Sequence, residues 1–363
     1  MKKKVLSVLL CTAMVAALLV GCGNNEEATE QPAETTETEG ESEAAETTGE
    51  TGGGTYALIT KAAGNPYNEK KAAGFEESVK ELGGTAIIRH PEKATAEDQI
   101  TMINELVAQG VDSIAIAGND FDALQPALRA AMDKGIKVSS VDSNVNKDSR
   151  MIFVNQAGTD QIGETLMDAV LDLSGGEGQW AILSATSQAA NQNAWIEAMK
   201  KVMEDSKYSK LELAEVAYGD DEYQKSVTQT QALIQKYPDL KVICAPTTVG
   251  IMAAAKVLQD ENLTDQIKLT GLGLPSEMAD YVGEDKACPY MYLWNPIDVG
   301  RLSAFTSAAL VSGEITGAIG EKFTAGSMGE YEIVAAADGG TEIIVGPPFA
   351  FNAANIDEWK SVY

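Results

Sequence analysis

Histidine is nearly absent from this 363-residue chain, in which His90 is the only one. Three common kinds of site need imidazole groups, namely a Ser-His-Asp triad, a Cys-His pair and a multi-histidine zinc site. A chain with a single histidine offers little basis for any of them. His90 comes at the end of a predicted strand and directly before Pro91, which favours a structural role. The composition therefore argues against the commonest hydrolase and zinc chemistries.

Cysteine is also scarce, with four in the whole chain. Two of them, Cys11 and Cys22, fall in or at the end of the apolar N-terminal stretch. Only Cys244 and Cys288 remain for the rest of the chain, so nothing resembles a disulfide framework. Cys244 follows two branched apolar residues, and we expect it to be a small buried side chain.

Motifs for cofactors and metals are missing as well. No Walker-type Gly-Lys-Ser/Thr sequence occurs, and the acidic residues lack the spacing of a calcium loop. The stretch Gly271 to Ser276 faintly resembles a dinucleotide fingerprint, but it ends in serine and lacks a helix start at the right offset. We therefore expect no cofactor and no metal.

Positive charge is outnumbered two to one, because 27 Lys and Arg face 54 Asp and Glu and leave a net charge of −27. Such an acidic protein repels nucleic acid and anionic lipid surfaces. We expect no nucleic-acid partner, and any attachment to a membrane would need something other than a basic patch.

The N-terminal stretch has the features of an export signal. Three lysines, Lys2 to Lys4, precede an apolar run from Val5 to Val20 that is short for a membrane span. Its end, Leu19 to Cys22, resembles the lipobox of bacterial lipoproteins. That resemblance implies that residues 1–22 are a signal peptide, that Cys22 carries the lipid, and that the exported protein is anchored to the outer face of the cell membrane. An ordinary secretory leader and a single apolar anchor are the alternatives.

Residues 23–54 have a different composition. They contain ten Glu, no Lys or Arg and a closing run of glycines, with almost no large apolar side chain. A segment of this kind cannot bury enough apolar surface to fold, and its like charges repel each other. We expect a disordered acidic tether.

From residue 55 onward, short apolar runs alternate with helical patterns. Tyr56 to Thr60 is the first predicted strand, and a helix from Asn68 to Leu82 follows. Thr95 to Asp98 resembles a capping box at the start of the next helix, which Gly110 ends. Repeated alternation predicts an α/β fold with parallel sheets and right-handed crossovers. Because the series occurs twice, we expect two lobes with a cleft between them.

Polar residues recur directly after the predicted strands, where open parallel sheets bind ligands. Amides, carboxylates and an ammonium group there offer donors and acceptors for a hydroxylated ligand, and nearby aromatic rings can cover its apolar face. The candidates are Lys61, Asn119, Asp120, Asp142, Asn191, Gln192, Asn193, Thr247, Thr248, Trp294 and Asn295, with Tyr67, Phe121 and Trp195 as further rings. Asp120 and Thr248 have an alternative role as helix caps.

The sequence from 55 to 363 resembles the sugar-binding branch of the type 1 periplasmic binding proteins that serve ABC importers. Within that branch it is similar to the rhamnose-binding and autoinducer-2-binding subgroup, through the stretches Gly64–Tyr67, Asn119–Pro126, Val141–Ser143, Asn191–Trp195, Ala245–Thr248 and Tyr292–Asn295. The resemblance implies two Rossmann-like lobes joined by a three-strand hinge, which closes on the ligand. We assign 55–155 with about 295–325 to the first lobe, and 156–294 with about 326–363 to the second.

The same resemblance implies a set of ligand contacts. The contacts of the autoinducer-2 receptors fall on Lys61, Asp142, Gln192 and Pro246, which match in residue type. Asn191 stands where those receptors have an aspartate, and Thr248 where they have an alanine. Asn191 still accepts a hydrogen bond but lacks the charge, so the choice between rhamnose and autoinducer-2 stays open.

These observations predict a monomeric, lipid-anchored solute-binding protein that delivers a small cyclic polyol to an ABC permease without transforming it. One alternative has the same binding protein report to a chemoreceptor or sensor. Another is a secreted hydrolase with Asp120 and Asp142 as paired carboxylates. A repressor's effector domain shares the fold, but the export signal and the missing DNA-binding headpiece argue against it.

Overall fold

The structure, a computed structural model, describes residues 53–363. The predicted leader with Cys22, and the predicted tether up to residue 52, lie outside the described residues. Within 53–363 no helix has both the length and the hydropathy needed to cross a membrane.

Seven strands form the first sheet, and six of them are parallel. They are β1 (Thr55–Ile59), β2 (Thr85–Arg89), β3 (Ser113–Ile116), β4 (Lys137–Val141), β5 (Ile152–Asn155), β13 (Val334–Ala335) and β14 (Thr341–Ile344), in the order β13-β14-β5-β4-β3-β1-β2 with β13 antiparallel. The helices of this lobe are α1 (Pro66–Glu81), α2 (Ala96–Gln109), α3 (Gln125–Asp133) and α9 (Pro296–Ser312).

The second sheet has four parallel strands. They are β6 (Gly178–Ser184), β7 (Leu211–Tyr218), β8 (Leu240–Ala245) and β9 (Lys268–Gly271), in the order β7-β6-β8-β9. Its helices are α4 (Thr159–Leu173), α5 (Ala190–Val202), α6 (Tyr223–Lys236), α7 (Thr248–Asp260) and α8 (Pro275–Met278). The remaining elements are the antiparallel pair β10 (Tyr290–Leu293) and β15 (Phe349–Asn352), the pair β11 (Lys322–Thr324) and β12 (Glu330–Glu332), and α10 (Ile356–Trp359).

Three segments connect the two lobes, namely Gln156–Gly158 before α4, Trp294–Asn295 before α9, and Val345–Pro348 between β14 and β15. The third connection corrects part of the sequence-based division, which gave 326–363 to the second lobe. β14 pairs in parallel with β5, so this strand belongs to the first sheet. Its partner is almost 190 positions earlier in the sequence, and no local pattern identifies such a pairing.

The central strands β1, β3, β4 and β5 of the first sheet are buried on both faces, as is usual in parallel sheets covered by helices. Leu58 points to one core and Ile59 to the other, and both are fully buried. The capping pattern predicted for α2 is present, because the Thr95 hydroxyl accepts a hydrogen bond from the Asp98 amide. Gly110 ends α2 in the left-handed conformation, with a φ of 72° that glycine adopts without strain.

Close packing of α1 against α9 positions two segments that carry predicted ligand-binding residues. Gly74 and Gly300 lie where the helices touch, and a Cβ atom on either would come within about 2.1 Å of a backbone oxygen of the other helix. The contacted oxygens belong to Ile297 and to Lys71. The absence of side chains there lets the backbones meet, which brings the first turns of α1 next to the segment that carries Trp294.

Candidate functional site

A cavity lies between the two lobes, beyond the carboxyl ends of the parallel strands. One wall comes from the loops after β1 and β4 and from the start of α1, and the other from α5 and the loops after β7 and β8. The lining residues include Lys61, Asn65, Tyr67, Asn68, Asp142, Asn191, Gln192, Trp195, Asp221, Pro246, Thr247, Thr248, Leu272, Leu293 and Trp294. Its volume is about 40 Å³, so the two walls lie close together in this structure. We call it the cleft cavity.

Asp142 of the cleft cavity is held by two hydrogen bonds. Lys71 donates a hydrogen bond to its Oδ2 at 2.8 Å, and the Tyr67 hydroxyl donates to its Oδ1 at 3.1 Å. The indole Nε1 of Trp294 in turn donates to the Tyr67 hydroxyl at 2.6 Å. Asp142 also has a φ of 64°, which is uncommon for a residue other than glycine. Such a conformation persists where the surroundings hold it, as they do at binding sites.

Burial explains why Asp142 has a cationic partner. The Lys71 side chain is 0% exposed and that of Asp142 only 4%, so each charge would be very unfavourable alone. Tyr67 is buried beside them, and burial together with the Asp142 charge holds its pKa well above the usual range. The phenol therefore stays protonated and continues to donate to Asp142.

Lys61 crosses the cleft. It is 7% exposed, and its Nζ donates to Oδ1 of Asn191 and to Oε1 of Gln192, both at 3.1 Å. Burial lowers the pKa of Lys61, while the charges of Asp221 and Asp142 act in the opposite direction. Two neutral amide oxygens thus receive the ammonium group from the other lobe.

Asn191 and Gln192 lie in the first turn of α5 and point toward the first lobe. Oδ1 of Asn191 accepts a hydrogen bond from Lys61 across the cleft, and the Ser143 hydroxyl, which donates to the Gly118 backbone oxygen at 2.6 Å, lies 3.4 Å from the same oxygen. An asparagine accepts this bond through its carbonyl oxygen and leaves its NH₂ group as a donor. The position where a resembling receptor has an aspartate is therefore occupied by a neutral donor and acceptor.

The rest of the second-lobe wall follows β7 and β8. Asp221, with a φ of 54°, accepts a hydrogen bond from the Thr247 hydroxyl, and Pro246 and Thr248 complete this part of the cavity. Thr248 is 8% exposed and is the first residue of α7. These groups supply a carboxylate and hydroxyls opposite Asp142.

Two tryptophans give the cavity an apolar side. The Trp195 and Trp294 rings pack edge to face with centroids 5.6 Å apart, and both side chains are buried. Rings in this arrangement are rigid and offer carbon surface to a ligand. The cavity thus combines an apolar surface with converging donors and acceptors.

Most of the sequence-predicted site residues line the cleft cavity, namely Lys61, Tyr67, Asp142, Asn191, Gln192, Trp195, Pro246, Thr247, Thr248 and Trp294. The others, Asn119, Asp120, Phe121, Asn193 and Asn295, do not. Asn119 is buried and donates from Nδ2 to the backbone oxygen of Lys61 at 2.8 Å, so it supports the Lys61 loop. Asp120 accepts from the amides of Asp122 and Ala123 and stabilises the turn before α3.

The placement of Asp120 also bears on the hydrolase hypothesis. Asp142 lines the cleft cavity, whereas Asp120 does not, so these two carboxylates do not face one common space. Both Asp142 oxygens are already bonded to Lys71 and Tyr67. The proposed pair of catalytic acids is therefore not assembled.

Sequence reasoning missed Lys71 and Asp221. Asp221 follows the end of β7 by three residues, so the strand-end pattern that identified Asp142 also applied to it. Lys71 sits inside α1 beside Lys70, and nothing local marks it as buried. Asn65 and Asn68, at the start of α1, were not singled out either.

A family model for the periplasmic binding protein domain matches residues 56–315. An ABC transporter solute-binding protein from Clostridium phytofermentas, solved with bound L-rhamnose, is 60% identical; the match covers 85% of this chain and 99% of that one, with a TM-score of 0.85. LsrB from Clostridium saccharobutylicum in complex with AI-2 is 21% identical, over 84% and 99% of the two chains, with a TM-score of 0.78. At that identity the likeness shows the fold alone.

Sequence comparison also finds a curated relative. The D-ribose/D-allose-binding protein of Pseudomonas aeruginosa is 24% identical over 189 residues, which are 50% of this chain and 57% of that protein. The chain thus matches a little over half the length of that relative.

The fold and the cleft cavity together define a solute-binding protein. The chain belongs to the periplasmic binding protein family, whose members bind solutes outside the cytoplasm and are not enzymes. The predicted α/β architecture, with parallel sheets flanked by helices, is confirmed.

Proposed function

We propose that this chain is the sugar-binding component of an ABC importer and that its ligand is L-rhamnose. The observation that carries the proposal is the 60% identity, over 99% of its length, to a solute-binding protein solved with L-rhamnose. At this identity most of the residues that shape a cavity are expected to be shared. The geometry of the cleft cavity supports the same ligand class.

The charges around the cavity favour a neutral ligand. Lys61 and Lys71 stand against Asp142 and Asp221, so two positive charges meet two negative charges within one buried region. A carboxylated or amino sugar would add an unbalanced charge, which is costly in a buried site. A neutral polyol needs only hydrogen bonds, and the site offers both donors and acceptors.

L-Rhamnose matches the mixed surface because it combines hydroxyl groups with a methyl group. The rings of Trp195 and Trp294 offer apolar contact, while Lys61, Asp142 and Asn191 offer polar contacts. Thr248 adds a methyl and a hydroxyl group where the autoinducer-2 receptors have alanine. Asn191 and Thr248 are therefore read as adaptations to the sugar, and autoinducer-2 is the competing ligand.

The proposal includes closure of the lobes about the three connecting segments. Lys61 of the first lobe bonds to Asn191 and Gln192 of α5 in the second lobe, so these contacts form when the lobes approach. In this scheme the exported protein is monomeric, Cys22 anchors it to the outer face of the membrane, and an ABC permease receives the sugar. Mass spectrometry of the N-terminal peptide tests the lipid on Cys22.

Isothermal titration calorimetry tests the ligand. Residues 53–363 are purified free of carried-over sugar and titrated with L-rhamnose and, separately, with the autoinducer-2 precursor. We expect saturable 1:1 binding of L-rhamnose and no comparable heat with the precursor. Binding of the precursor alone would make autoinducer-2 the ligand instead of L-rhamnose. If neither compound gives heat of binding, the sugar assignment is wrong.

A further inference from the structure

The turn after β7 places two neighbouring carboxylates in different surroundings. Asp220 and Asp221 have φ values of 56° and 54°, in the left-handed region that aspartate tolerates better than most residues. The Asp220 carboxylate forms an exposed ion pair with Lys225, whereas Asp221 lines the cleft cavity. Such conformations persist where the surrounding structure holds them. The turn therefore fixes one carboxylate in the cavity and the other outside it.

One oxygen of Asp221 is available to a ligand. Its Oδ1 accepts a hydrogen bond from the Thr247 hydroxyl, which orients the carboxylate, and its Oδ2 accepts none from residues 53–363. Asp221 is only half-buried, and Oδ2 is not among the fully buried unpartnered atoms of the described chain, so a ligand can reach it. Asp142, in contrast, accepts a bond at each oxygen, from Tyr67 and from Lys71.

The Lys61 ammonium group complements this oxygen. An ammonium group carries one more N–H donor than Lys61 uses for Asn191 and Gln192, and the remaining one has no acceptor among residues 53–363. Burial lowers the pKa of Lys61, and of the surrounding charges Asp221 opposes that shift most strongly, ahead of Asp142. The free donor and the free oxygen therefore belong to neighbouring groups of opposite charge.

Lys61 and Asp221 do not meet directly. Within the described part of the chain no ion pair joins them, although Lys71 and Asp142 are paired at 2.8 Å. A hydroxyl group between Lys61 and Asp221 can accept from the first and donate to the second, because it has both functions. A carboxylate only accepts and an ammonium group only donates, so neither satisfies both partners.

We propose that Asp221 is a ligand-binding residue and that it holds, together with Lys61, a single hydroxyl group of the bound sugar. Asp221 is not among the contacts that the resemblance to the autoinducer-2 receptors implies. The inference rests on the proposed function and deepens it, because it names the protein groups that require a hydroxyl at one position of the ligand.

Calorimetry of Asp221→Asn with L-rhamnose tests the inference. Asparagine has the same shape and tolerates the left-handed conformation, and Thr247 can still bond to its carbonyl oxygen. Its NH₂ group then takes the place of the free oxygen and donates instead of accepting. We expect the affinity for L-rhamnose to fall by about 10-fold to 150-fold, the loss of a hydrogen bond to a charged group.

Asp220→Asn is the matched control, since it removes the same charge from the neighbouring residue, which has nearly the same φ. L-Rhamnose affinity should stay within about 2-fold in this variant. Equal losses in the two variants would assign the effect to net charge and overturn the contact. Affinity within about 2-fold in Asp221→Asn would also overturn the contact and leave the proposed function intact. Failure of the unaltered protein to bind L-rhamnose would overturn the proposed function itself.

Analogues of L-rhamnose that each lack one hydroxyl group separate a direct contact from a structural effect. One analogue should bind the unaltered protein about 10-fold or more weakly, and Asp221→Asn should weaken that analogue by no more than about 2-fold further. Lys61→Met should lose the least affinity for the same analogue. Equal weakening of every analogue by Asp221→Asn would show that Asp221 acts on the shape of the cavity, and different analogues for the two variants would overturn the shared hydroxyl.

Discussion

The two walls of the cleft cavity are built differently. On the first-lobe side, Asp142 receives hydrogen bonds from Lys71 and Tyr67, and these three residues all belong to that lobe. On the second-lobe side, Asn191 and Gln192 accept their bonds from Lys61, which comes from the opposite lobe. One wall is therefore assembled within its own lobe, whereas the polar contacts of the other depend on closure.

This difference separates two tasks. A charged carboxylate must keep its position and its partner whether the lobes are open or closed, since an unpaired buried charge is expensive. Neutral amides can exchange protein contacts for water or ligand contacts at a much smaller change in free energy. We infer that the first-lobe wall fixes the orientation of the ligand. The hydrogen bonds of the second-lobe wall, in contrast, form only when the cleft closes.

The largest effect should come from breaking the first-lobe wall. Lys71→Met removes the partner of Asp142 and leaves a buried carboxylate alone, so we expect the free energy of unfolding to fall by about 3–5 kcal/mol. Urea unfolding followed by circular dichroism measures the loss. Lys80→Met, at an exposed position of the same helix, should change stability by no more than about 0.5 kcal/mol.

The double variant Lys71→Met/Asp142→Asn sharpens this test. Removing both charges avoids the unpaired carboxylate, so it should recover part of the stability that Lys71→Met loses. A double variant that is no more stable than Lys71→Met would show that the loss comes from packing of the lysine stem and not from charge.

Breaking the contact across the cleft should affect binding more than stability. Lys61→Met removes a charged donor, and a hydrogen bond to a charged group contributes about 1.5–3 kcal/mol. The expected loss of L-rhamnose affinity is therefore about 10-fold to 150-fold by calorimetry. Equal affinity in Lys61→Met and in the Lys80→Met control would remove Lys61 from the site.

The ionisation of Lys61 gives a smaller, pH-dependent effect. Burial lowers the pKa of Lys61 below its ordinary value of 10.5, so the ammonium loses its proton earlier than an exposed lysine as the pH rises. L-Rhamnose affinity should then fall on the alkaline side below pH 10.5, and this fall should be absent in Lys61→Met. Tryptophan fluorescence titrations at a series of pH values measure it.

Asn191→Asp provides the complementary change. A carboxylate at the position of the Asn191 amide, whose oxygen lies 3.1 Å from the Lys61 Nζ, should raise the pKa of Lys61 and move the alkaline loss of affinity to higher pH. At neutral pH the change in affinity should stay below about 10-fold. A pH profile that does not move would mean that Lys61 does not control it.

The smallest effect is expected at Asp120. Its carboxylate bonds only to backbone amides in the turn before α3, so Asp120→Ala should leave L-rhamnose affinity within about 2-fold and reduce stability by about 1 kcal/mol. A loss of affinity comparable to that of Lys61→Met would return Asp120 to the binding site.

The sequence predicts the parts of the site that follow a simple geometric rule. Lys61 and Asp142 come within two residues of strand ends, and the parallel fold gathers such positions at one edge. The same rule does not predict the direction in which a side chain points. It therefore also selected Asn119 as a ligand contact, although this side chain points inward and bonds to the Lys61 backbone. Direction depends on loop conformation, which residue type alone does not fix.

Long-range packing explains the remaining differences. Lys71 is buried because α1 meets α9 at Gly74 and Gly300, and these two glycines are more than 220 positions apart in the sequence. The pairing of β14 with β5 is equally distant. Propensity and periodicity describe neighbours along the chain, so they identify these elements without showing which of them touch.

Hydrogen exchange of residues 53–363, with and without L-rhamnose, tests the difference between the two walls most directly. The account predicts that α1 and β4 are protected even without sugar, and that L-rhamnose adds protection to the loop after β1, the start of α5 and the segment from 246 to 248. Free exchange of α1 and β4 in the absence of sugar, or no added protection at α5 in its presence, would contradict it.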